Sequence, residues 1–278
     1  MSFKKLLGTP EIMLTPEKIK AWFQAERTPH FSDGDVQALL SLFHPKAVFF
    51  KNLPYDSCVL DVGAGDGSLH IFRSWPFPPR PDVKVYAYGL EKGRYYDNLD
   101  GFELGRWPEK KPDFPGVMFN AIFCSHFIEH IDFPGEFIAW CAARLPREGR
   151  IYLEWPSPCA LTLPGRNQLL AEGVELMVSN FRDDPTHREL PSRQSIMKAL
   201  VRMGFFIEQT GVVRLPFLED ELLAHFASNE RDPYGRQSAF WSKTYWAQFI
   251  VAARLAQTDS FWARWRGRLA CCAWPRFR

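Results

Sequence analysis

The feature that most constrains this chain is a short apolar strand that leads directly into a loop with three glycines. Residues 58–62 form an apolar run rich in β-branched side chains, which is typical of a buried parallel strand. Gly63, Gly65 and Gly67 follow at alternate positions, and the apolar spacing of residues 68–72 then predicts a helix. Because glycine has no side chain, a ligand can approach this loop closely beside the helix N-terminus. The pattern therefore predicts a nucleotide-binding loop.

The order of residues in this loop separates it from two common nucleotide-binding motifs. Residues 63–67 read Gly-Ala-Gly-Asp-Gly, which is neither the Gly-x-Gly-x-x-Gly of dinucleotide-binding folds nor a phosphate loop with Lys-Ser/Thr. Asp66 would repel a pyrophosphate, whereas it is compatible with a sulfonium and an amino group. At these residues the chain resembles the class I S-adenosylmethionine-dependent methyltransferases, whose first motif is Asp/Glu-x-Gly-x-Gly-x-Gly and stands here as residues 61–67.

The resemblance implies a fold, a cofactor and a set of cofactor-binding residues. The family has a Rossmann-like α/β fold, in which a seven-stranded, mostly parallel sheet has an antiparallel last strand and helices on both faces. The cofactor is S-adenosylmethionine, the product is S-adenosylhomocysteine, and no metal is expected. The residues expected to bind the cofactor lie in the loop and after the second and fourth strands: Asp61, Gly63, Ala64, Gly65, Gly67, Glu91 and Ser125.

Glu91 is the residue expected to bind the ribose of the cofactor. It follows residues 83–89, whose alternating apolar side chains predict the second strand. An acid at the end of this strand in a doubly wound sheet can accept hydrogen bonds from the ribose hydroxyls, and the family has its ribose-binding acid at this position. The family often has Gly-Asp near the third strand, where this chain has Gly105-Arg106, so the sequence assigns no adenine contact.

Residues 125–130, Ser-His-Phe-Ile-Glu-His, are the second place where the resemblance is specific. They follow residues 117–124, an apolar run that predicts a fourth strand buried on both faces. Many small-molecule methyltransferases have a Leu-Glu-His-like signature at the end of this strand, and residues 128–130 match it. An Asp/Asn-Pro-Pro-Tyr/Phe motif, which would accept from an exocyclic amine, is absent from this position, and its absence disfavours nucleobase N-methylation.

Four titratable residues are the candidates for catalysis. Ligands of open α/β sheets bind outside the carboxyl ends of the strands, which is where His126, Glu129 and His130 are expected. Methyl transfer from a sulfonium is an in-line displacement that depends on positioning, and a hydroxyl acceptor also needs a base. Histidine suits this role, so His130 is the leading candidate, with Glu129 to polarise or position the histidines. His126 and His187, the latter in a Thr-His pair often found in relatives, are alternative bases or substrate-orienting groups.

These residues predict an O-methyltransferase that acts on a small-molecule or glycan acceptor. A C- or N-methyltransferase with a natural-product or quinone-like acceptor is an alternative, because the sequence does not distinguish the atom that is methylated. A methyltransferase-like scaffold without catalysis is a third reading, supported by Gly105-Arg106 but opposed by the intact loop and by Glu91. Nucleic acid is not expected as a partner, because the basic excess is small and concentrated near the C-terminus.

The chain is expected to have three parts. Residues 1–50 are predicted to form an N-terminal helical cap, residues 51–258 the methyltransferase domain, and residues 259–278 a basic aromatic tail. An insertion over the ligand edge of the sheet is expected at about residues 156–190. The remaining elements are predicted as helices at 15–24, 32–43, 134–145 and 191–203, strands within 100–109 and at 151–155, 205–210 and 244–255, and an irregular segment at 211–240.

Composition favours a protein of a reducing compartment. The 278 residues are 46% hydrophobic with a formal net charge of +2, and the six cysteines form no Cys-x-x-Cys pair. The N-terminal residues lack the apolar core of a signal peptide, and no run approaches the roughly 18 apolar residues that span a bilayer. A cytoplasmic location is therefore expected.

The segment 260–278 interleaves tryptophan and other apolar side chains with arginines. As a helix it would be amphipathic and basic, which is typical of contact with an anionic membrane surface. A terminal helix that packs its aromatic side chains on its own domain would give the same pattern. Peripheral membrane contact is thus one of two hypotheses for this segment.

Overall fold

One seven-stranded sheet organises the described part of the protein. The computed structural model describes residues 14–226 and 233–255. The strands are β1 (Cys58–Val62), β2 (Lys84–Gly89), β3 (Gly101–Leu104), β4 (Ala121–Ser125), β5 (Arg150–Pro156), β6 (Phe205–Val212) and β7 (Ala247–Arg254). Their order in the sheet is β3-β2-β1-β4-β5-β7-β6, which confirms the expected Rossmann-like architecture. The strand that leads into the glycine-rich loop therefore lies between β2 and β4.

The strand directions also follow the expectation. β1 pairs in parallel with β2 and β4, β2 with β3, and β4 with β5. The last strand is antiparallel to β5, as its hydrogen bonds show at both ends. Arg254, at the end of β7, bonds to Glu148 and Gly149 just before β5. Trp246, just before β7, accepts from Ser157 just after β5.

Local sequence signals explain several helix starts. The described helices are α1 (Pro16–Gln24), α2 (Asp33–Phe43), α3 (Pro45–Lys51), α4 (Pro134–Arg144), α5 (Arg166–Ala171), α6 (Arg193–Arg202), α7 (Glu219–Phe226) and α8 (Pro233–Thr244). The Thr15 hydroxyl accepts from the amide of Lys18 at 3.4 Å, and the Ser32 hydroxyl accepts from the amide of Asp35 at 3.2 Å, so both residues cap helices. Within the described ranges, no helix has the length and apolar character to cross a membrane.

The described residues group into two compact clusters. The first takes its members from the described residues up to Val48, from Trp155–Leu190 and from the described residues between Gly211 and Gln248. Its core includes Val36, Leu218 and Leu222, all fully buried. The second takes its members from Phe49–Glu154, Pro191–Thr210 and the described residues from Phe249 onward. This second cluster contains the whole of β1 to β4 and therefore the glycine-rich loop.

The segment 211–240 is more regular than the sequence predicted. The prediction of an irregular segment was wrong, because α7 lies in it and α8 begins in it. Leu215, Leu218 and Leu222 recur at helical spacing and are buried. The turn expected at residues 232–235 is also not observed, since Pro233 begins α8, and residue 232 lies outside the described residues.

Two element bounds near the glycine-rich loop differ from expectation. The fourth strand begins at Ala121 rather than near residue 117, because Gly116 has φ +82 and Met118 is exposed to solvent. The helix expected after Gly67 is a short 3₁₀ helix, Ser68–Arg73. The predicted tail, residues 259–278, lies outside the described residues, as does its proposed membrane contact.

Candidate active site

The glycine-rich loop is held by the backbone of β2. The amides of Gly63 and Ala64 both donate to the carbonyl of Tyr88, at 2.9 and 3.1 Å. The amide of Gly67 donates to the carbonyl of Ala64 at 2.8 Å. These bonds satisfy the backbone where β1 ends and fix the path of the loop.

The three glycines of the loop have different surroundings. Gly63, Gly65 and Gly67 have φ values of +77, +54 and +83, a region that favours glycine. A Cβ at Gly63 would lie 2.8 Å from the Cβ of Phe127, and one at Gly67 would lie 2.9 Å from Cδ1 of Tyr96. A Cβ at Gly65 would meet nothing within 4 Å. The first and third glycines therefore allow close packing, while the second leaves the loop open to a ligand.

The other residues predicted to bind the cofactor lie at the same edge of the sheet. Asp61 is the fourth residue of β1 and is buried, Glu91 follows β2 by two residues and is exposed, and Ser125 ends β4. Because these strands are parallel, their carboxyl ends meet at one edge. Two acids beside an open glycine fit a ligand with an amino group and ribose hydroxyls, such as S-adenosylmethionine.

A buried cluster of charged residues joins the ends of β4 and β5. Ser125 pairs with Glu154 in the sheet, and the amide of His126 donates to the carbonyl of Glu154 at 2.8 Å. The ring of His126 lies between two carboxylates: Nδ1 is 3.2 Å from Oε1 of Glu129, and Nε2 is 3.1 Å from Oε1 of Glu154. The side chains of Glu129 and Glu154 are 0% and 2% exposed, and that of His126 is 24% exposed. These three residues form the Glu-His-Glu cluster.

The two carboxylates of the Glu-His-Glu cluster differ in their hydrogen bonds. Oε1 of Glu154 accepts from the Ser125 hydroxyl at 3.1 Å, and Oε2 accepts from the Tyr152 hydroxyl. Burial, and then the charge of Glu154, raise the pKa of Tyr152 well above its usual value, so this phenol stays a donor. Oε2 of Glu129 is buried and has no hydrogen-bond partner among the described residues. Glu129 is therefore the carboxylate with capacity to accept from a further group.

The Glu-His-Glu cluster sets the protonation state of His126. Burial alone would lower the pKa of its imidazole, but the hydrogen bonds and charges of Glu129 and Glu154 outweigh burial and raise the pKa to about 9. The ring is therefore a cation at neutral pH, and each ring N–H faces a carboxylate. A protonated imidazole cannot accept a proton. The geometry thus favours His126 as an orienting group over His126 as a base.

The raised pKa of His126 predicts a loss of stability in alkaline solution. A histidine with a pKa near 6.5 in the unfolded chain and about 9 in the folded protein stabilises the fold fully below pH 6.5. This contribution, on the order of 3 kcal/mol, is lost as the pH rises through about 9. We expect the free energy of unfolding, measured by urea denaturation, to fall between about pH 6.5 and pH 10.

The matched variant for this pH series is His126→Asn. Asparagine tolerates the left-handed backbone of this residue, whose φ is +55, but has no proton to lose in this range. The variant should be less stable at neutral pH and should show a shallower pH dependence than the wild type. An equal slope in both proteins would mean that His126 does not titrate as the structure indicates.

His130 lies next to the Glu-His-Glu cluster along the chain. It ends the 3₁₀ helix Ile128–His130, and its amide donates to the carbonyl of Phe127 at 3.0 Å. Its side chain is half-buried and directly follows that of Glu129 in sequence. The structure thus brings His126, Glu129 and His130 together after β4, as the sequence predicted for this segment.

His187 belongs to the first cluster of residues, whereas His126 and His130 belong to the second. Its Nδ1 lies 2.5 Å from the carbonyl oxygen of Phe181, and its ring stacks on that of Phe181 with centroids 4.4 Å apart. Because Nδ1 donates to a carbonyl, Nε2 carries the lone pair when the ring is neutral. His187 is therefore held in one tautomer and one orientation, which suits a base or an orienting residue.

The sequence did not single out Glu154 or Tyr96. Glu154 lies in β5 among buried apolar residues, and an acid in such a strand was an available signal, because a buried carboxylate requires partners. Tyr96 begins the 3₁₀ helix Tyr96–Asn98 and contacts Gly67 and Gly89. It carried no comparable signal, since tyrosine is common in irregular segments near a sheet.

Comparisons with known proteins identify the family. Residues 33–210, more than half of the chain, match the family described as Methyltransferase domain. No curated protein matches the chain. Among solved structures, the chain is similar to the cyclopropane synthase MmaA2 from Mycobacterium tuberculosis, with a TM-score of 0.49 and 17% identity over 84% of this chain and 90% of that chain.

Two other solved structures are described as SAM-dependent methyltransferases. For the protein from Archaeoglobus fulgidus the TM-score is 0.46 and the identity 17%, over 75% of this chain and 92% of that chain. For the protein from Aquifex aeolicus the TM-score is 0.46 and the identity 14%, over 81% of this chain and 100% of that chain.

The family match covers β1 to β5 and the glycine-rich loop. The chain therefore belongs to the class I S-adenosylmethionine-dependent methyltransferases, and its cofactor is S-adenosylmethionine.

Proposed function

We propose that this methyltransferase acts on a hydroxyl group of a small-molecule or glycan acceptor. The observation that carries the proposal is the set of titratable side chains after β4, which includes His126, Glu129 and His130. Phe127, within the same segment, packs against Gly63, so the segment adjoins the glycine-rich loop. A hydroxyl acceptor must lose a proton when it is methylated, and a base next to the cofactor loop meets that need.

The roles of the residues follow from their charges. The cofactor supplies an activated methyl group on a sulfonium. His126, a cation between two carboxylates, holds the segment 125–130 in place and cannot serve as the base at neutral pH. We therefore assign the base to His130, one of whose ring nitrogens takes the proton of the acceptor hydroxyl as the oxygen–carbon bond forms and the sulfur–carbon bond breaks. Glu129 holds the ring of His126 through Oε1, and its Oε2, which has no hydrogen-bond partner among the described residues, is available to accept from the substrate.

N-methylation of an amine is a second candidate, favoured by a different observation. The Glu-His-Glu cluster contains two carboxyl groups and one imidazole, and all but part of the imidazole is buried. Two carboxylates next to one imidazolium leave a net negative charge in a place of low dielectric. Such a charge favours an acceptor that gains positive charge when it is methylated. An amine gains such a charge, and a hydroxyl that loses its proton does not.

A transfer assay with labelled cofactor tests the proposal. The purified protein is incubated with S-adenosylmethionine that carries a labelled methyl group, together with phenols, sugar alcohols, oligosaccharides and matched amines. We expect label in hydroxylated acceptors, and NMR of the product should place the methyl group on oxygen. Transfer to amines alone would replace the proposal by the second candidate. Cofactor binding without transfer to any acceptor would favour the non-catalytic scaffold.

Gly65→Arg is expected to weaken cofactor binding strongly. The position has open space on its side-chain side, which an arginine would fill. We expect calorimetry to give an affinity for S-adenosylhomocysteine at least about tenfold lower, which corresponds to about 1.4 kcal/mol. Gly65→Ala is the matched control, because its Cβ meets nothing within 4 Å and only the φ of +54 opposes it. Equal binding by the arginine variant and the wild type would exclude this face of the loop as the cofactor site.

A further inference from the structure

We propose that the hydroxyl of Tyr96 donates a hydrogen bond to the nucleoside half of the cofactor. Tyr96 is 1% exposed and lies in the second cluster of residues, together with the glycine-rich loop. It packs with Ala64 of the loop and Ala87 of β2 in one small core. The residue is therefore part of the wall of the loop, although its hydroxyl is polar.

The ring of Tyr96 is held in place by two glycines. A Cβ at Gly67 would lie 2.9 Å from Cδ1 of the ring, and a Cβ at Gly89 would lie 2.5 Å from the hydroxyl oxygen. The ring thus extends from the loop to the last residue of β2, with its hydroxyl at the strand end. Its position is also fixed through the backbone, because the amide of Tyr95 donates to the carbonyl of Asp66 at 2.8 Å.

The hydroxyl of Tyr96 has no hydrogen-bond partner among the described residues, although it is buried. Such a group costs stability unless it finds an acceptor. Burial raises the pKa of Tyr96 to about 12, and the charges of Asp61 and Asp66 act in the same direction, so the hydroxyl keeps its proton. The hydroxyl is therefore a donor for which the described residues supply no acceptor.

The place of the hydroxyl indicates which part of the cofactor it meets. In open α/β sheets the ligand lies outside the carboxyl ends of the strands, and the hydroxyl of Tyr96 is at the end of β2. Glu91, the acid expected to accept from the ribose hydroxyls, follows two residues later. A ribose hydroxyl both donates and accepts, so an acid and a phenol next to each other complement it.

Tyr96→Phe tests the inference, because it removes the hydroxyl and keeps the ring. We expect the affinity for S-adenosylhomocysteine, measured by calorimetry, to fall about tenfold. We expect the thermal stability of the ligand-free protein to be unchanged or higher, because the variant no longer buries an unpaired donor. A purely structural tyrosine would give the opposite result, with lower stability and unchanged affinity.

Two further measurements make the test specific. Tyr55→Phe is the matched control, because Tyr55 is 85% exposed and the same atom is removed from the surface. This variant should change neither affinity nor stability. The second measurement uses 5′-methylthioadenosine, which keeps the nucleoside and lacks the amino acid. Its affinity for Tyr96→Phe should be lower than its affinity for the wild type by the same factor as for S-adenosylhomocysteine.

Three results would overturn the inference. These are unchanged binding of S-adenosylhomocysteine by Tyr96→Phe, a loss of affinity that appears only together with a loss of stability, and a loss restricted to S-adenosylhomocysteine. No methyl acceptor enters these experiments, so their outcome is independent of the proposed O-methylation.

Discussion

Replacement of Glu154 by alanine should lower the free energy of unfolding by about 3 to 5 kcal/mol. The carboxylate of Glu154 is buried and bonds to the hydroxyls of Ser125 and Tyr152 as well as facing the ring of His126. Its removal leaves two hydroxyls without this acceptor and a buried imidazolium without one of its two carboxylates. Chemical denaturation at pH 7 measures the loss.

Glu208→Ala is the control for this experiment. Glu208 in β6 also pairs with a cation, since its carboxylate lies 2.7 Å from Nη2 of Arg150, but both side chains are partly exposed. We expect a loss of about 1 kcal/mol or less for this variant. If both variants lost a similar free energy of unfolding, the buried position of Glu154 would not make its contacts more stabilising than those of a partly exposed pair.

Glu154→Gln separates the charge of the cluster from its shape. The amide keeps the volume of the side chain and can still accept through one oxygen, but it no longer neutralises His126. NMR titration of the His126 ring should then give a pKa well below the value of about 9 in the wild type. The pH dependence of stability should become shallower for the same reason. An unchanged pKa would show that Glu154 does not act on His126.

The sequence predicted those parts of the site that are formed by residues close to one another along the chain. The strand at 58–62, the loop at 63–67 and the histidines after β4 are local patterns, and the structure has them at the expected places. The contact between His126 and Glu154 is not local. It depends on the register that pairs Ser125 with Glu154, and no pattern within either strand specifies that pairing.

The helices within 211–240 were missed for a related reason. Glu219 and Glu221 interrupt the apolar spacing of this segment and suggest an exposed, irregular chain. In the structure both acids are buried, and each has a partner. Oε1 of Glu219 lies 2.6 Å from Nε of Arg214, and Oε1 of Glu221 lies 2.5 Å from Nδ1 of His30. A carboxylate can lie inside a folded protein when it has a partner, here an arginine five residues away for Glu219 and a histidine distant in sequence for Glu221. The apolar spacing of the segment does not reveal either contact.

His130→Ala should lower the turnover of a hydroxylated acceptor by about 10²- to 10⁴-fold, the usual contribution of a general base. The affinity for S-adenosylhomocysteine should stay within a factor of about two, because the variant leaves the glycine-rich loop intact. Initial rates with saturating cofactor and calorimetry measure the two quantities separately. His44→Ala, at the end of α2, is the control and should leave both unchanged.

Added imidazole tests whether the lost function is proton transfer. If the alanine variant lacks only a base, free imidazole should restore part of its turnover in proportion to the concentration of the unprotonated form. A loss of positioning would not respond to imidazole. Normal turnover in His130→Ala would remove His130 from the mechanism, and His187, held in a defined tautomer, would become the next candidate.

The pH dependence of the same variant distinguishes oxygen from nitrogen as the atom methylated. An aliphatic hydroxyl keeps its proton throughout the range in which the protein is folded, so the defect of His130→Ala should persist at pH 9. An amine acceptor loses its proton as the pH rises and then needs no base, so the defect should shrink toward that pH. Measurements of the wild type and the variant at several pH values therefore test both the role of His130 and the class of acceptor. The comparison uses aliphatic hydroxyls and amines, because a phenol, with a pKa of about 10, also loses its proton in alkaline solution. With these acceptors, a defect that vanishes in alkaline solution would favour N-methylation, which the acidic excess of the Glu-His-Glu cluster also favours.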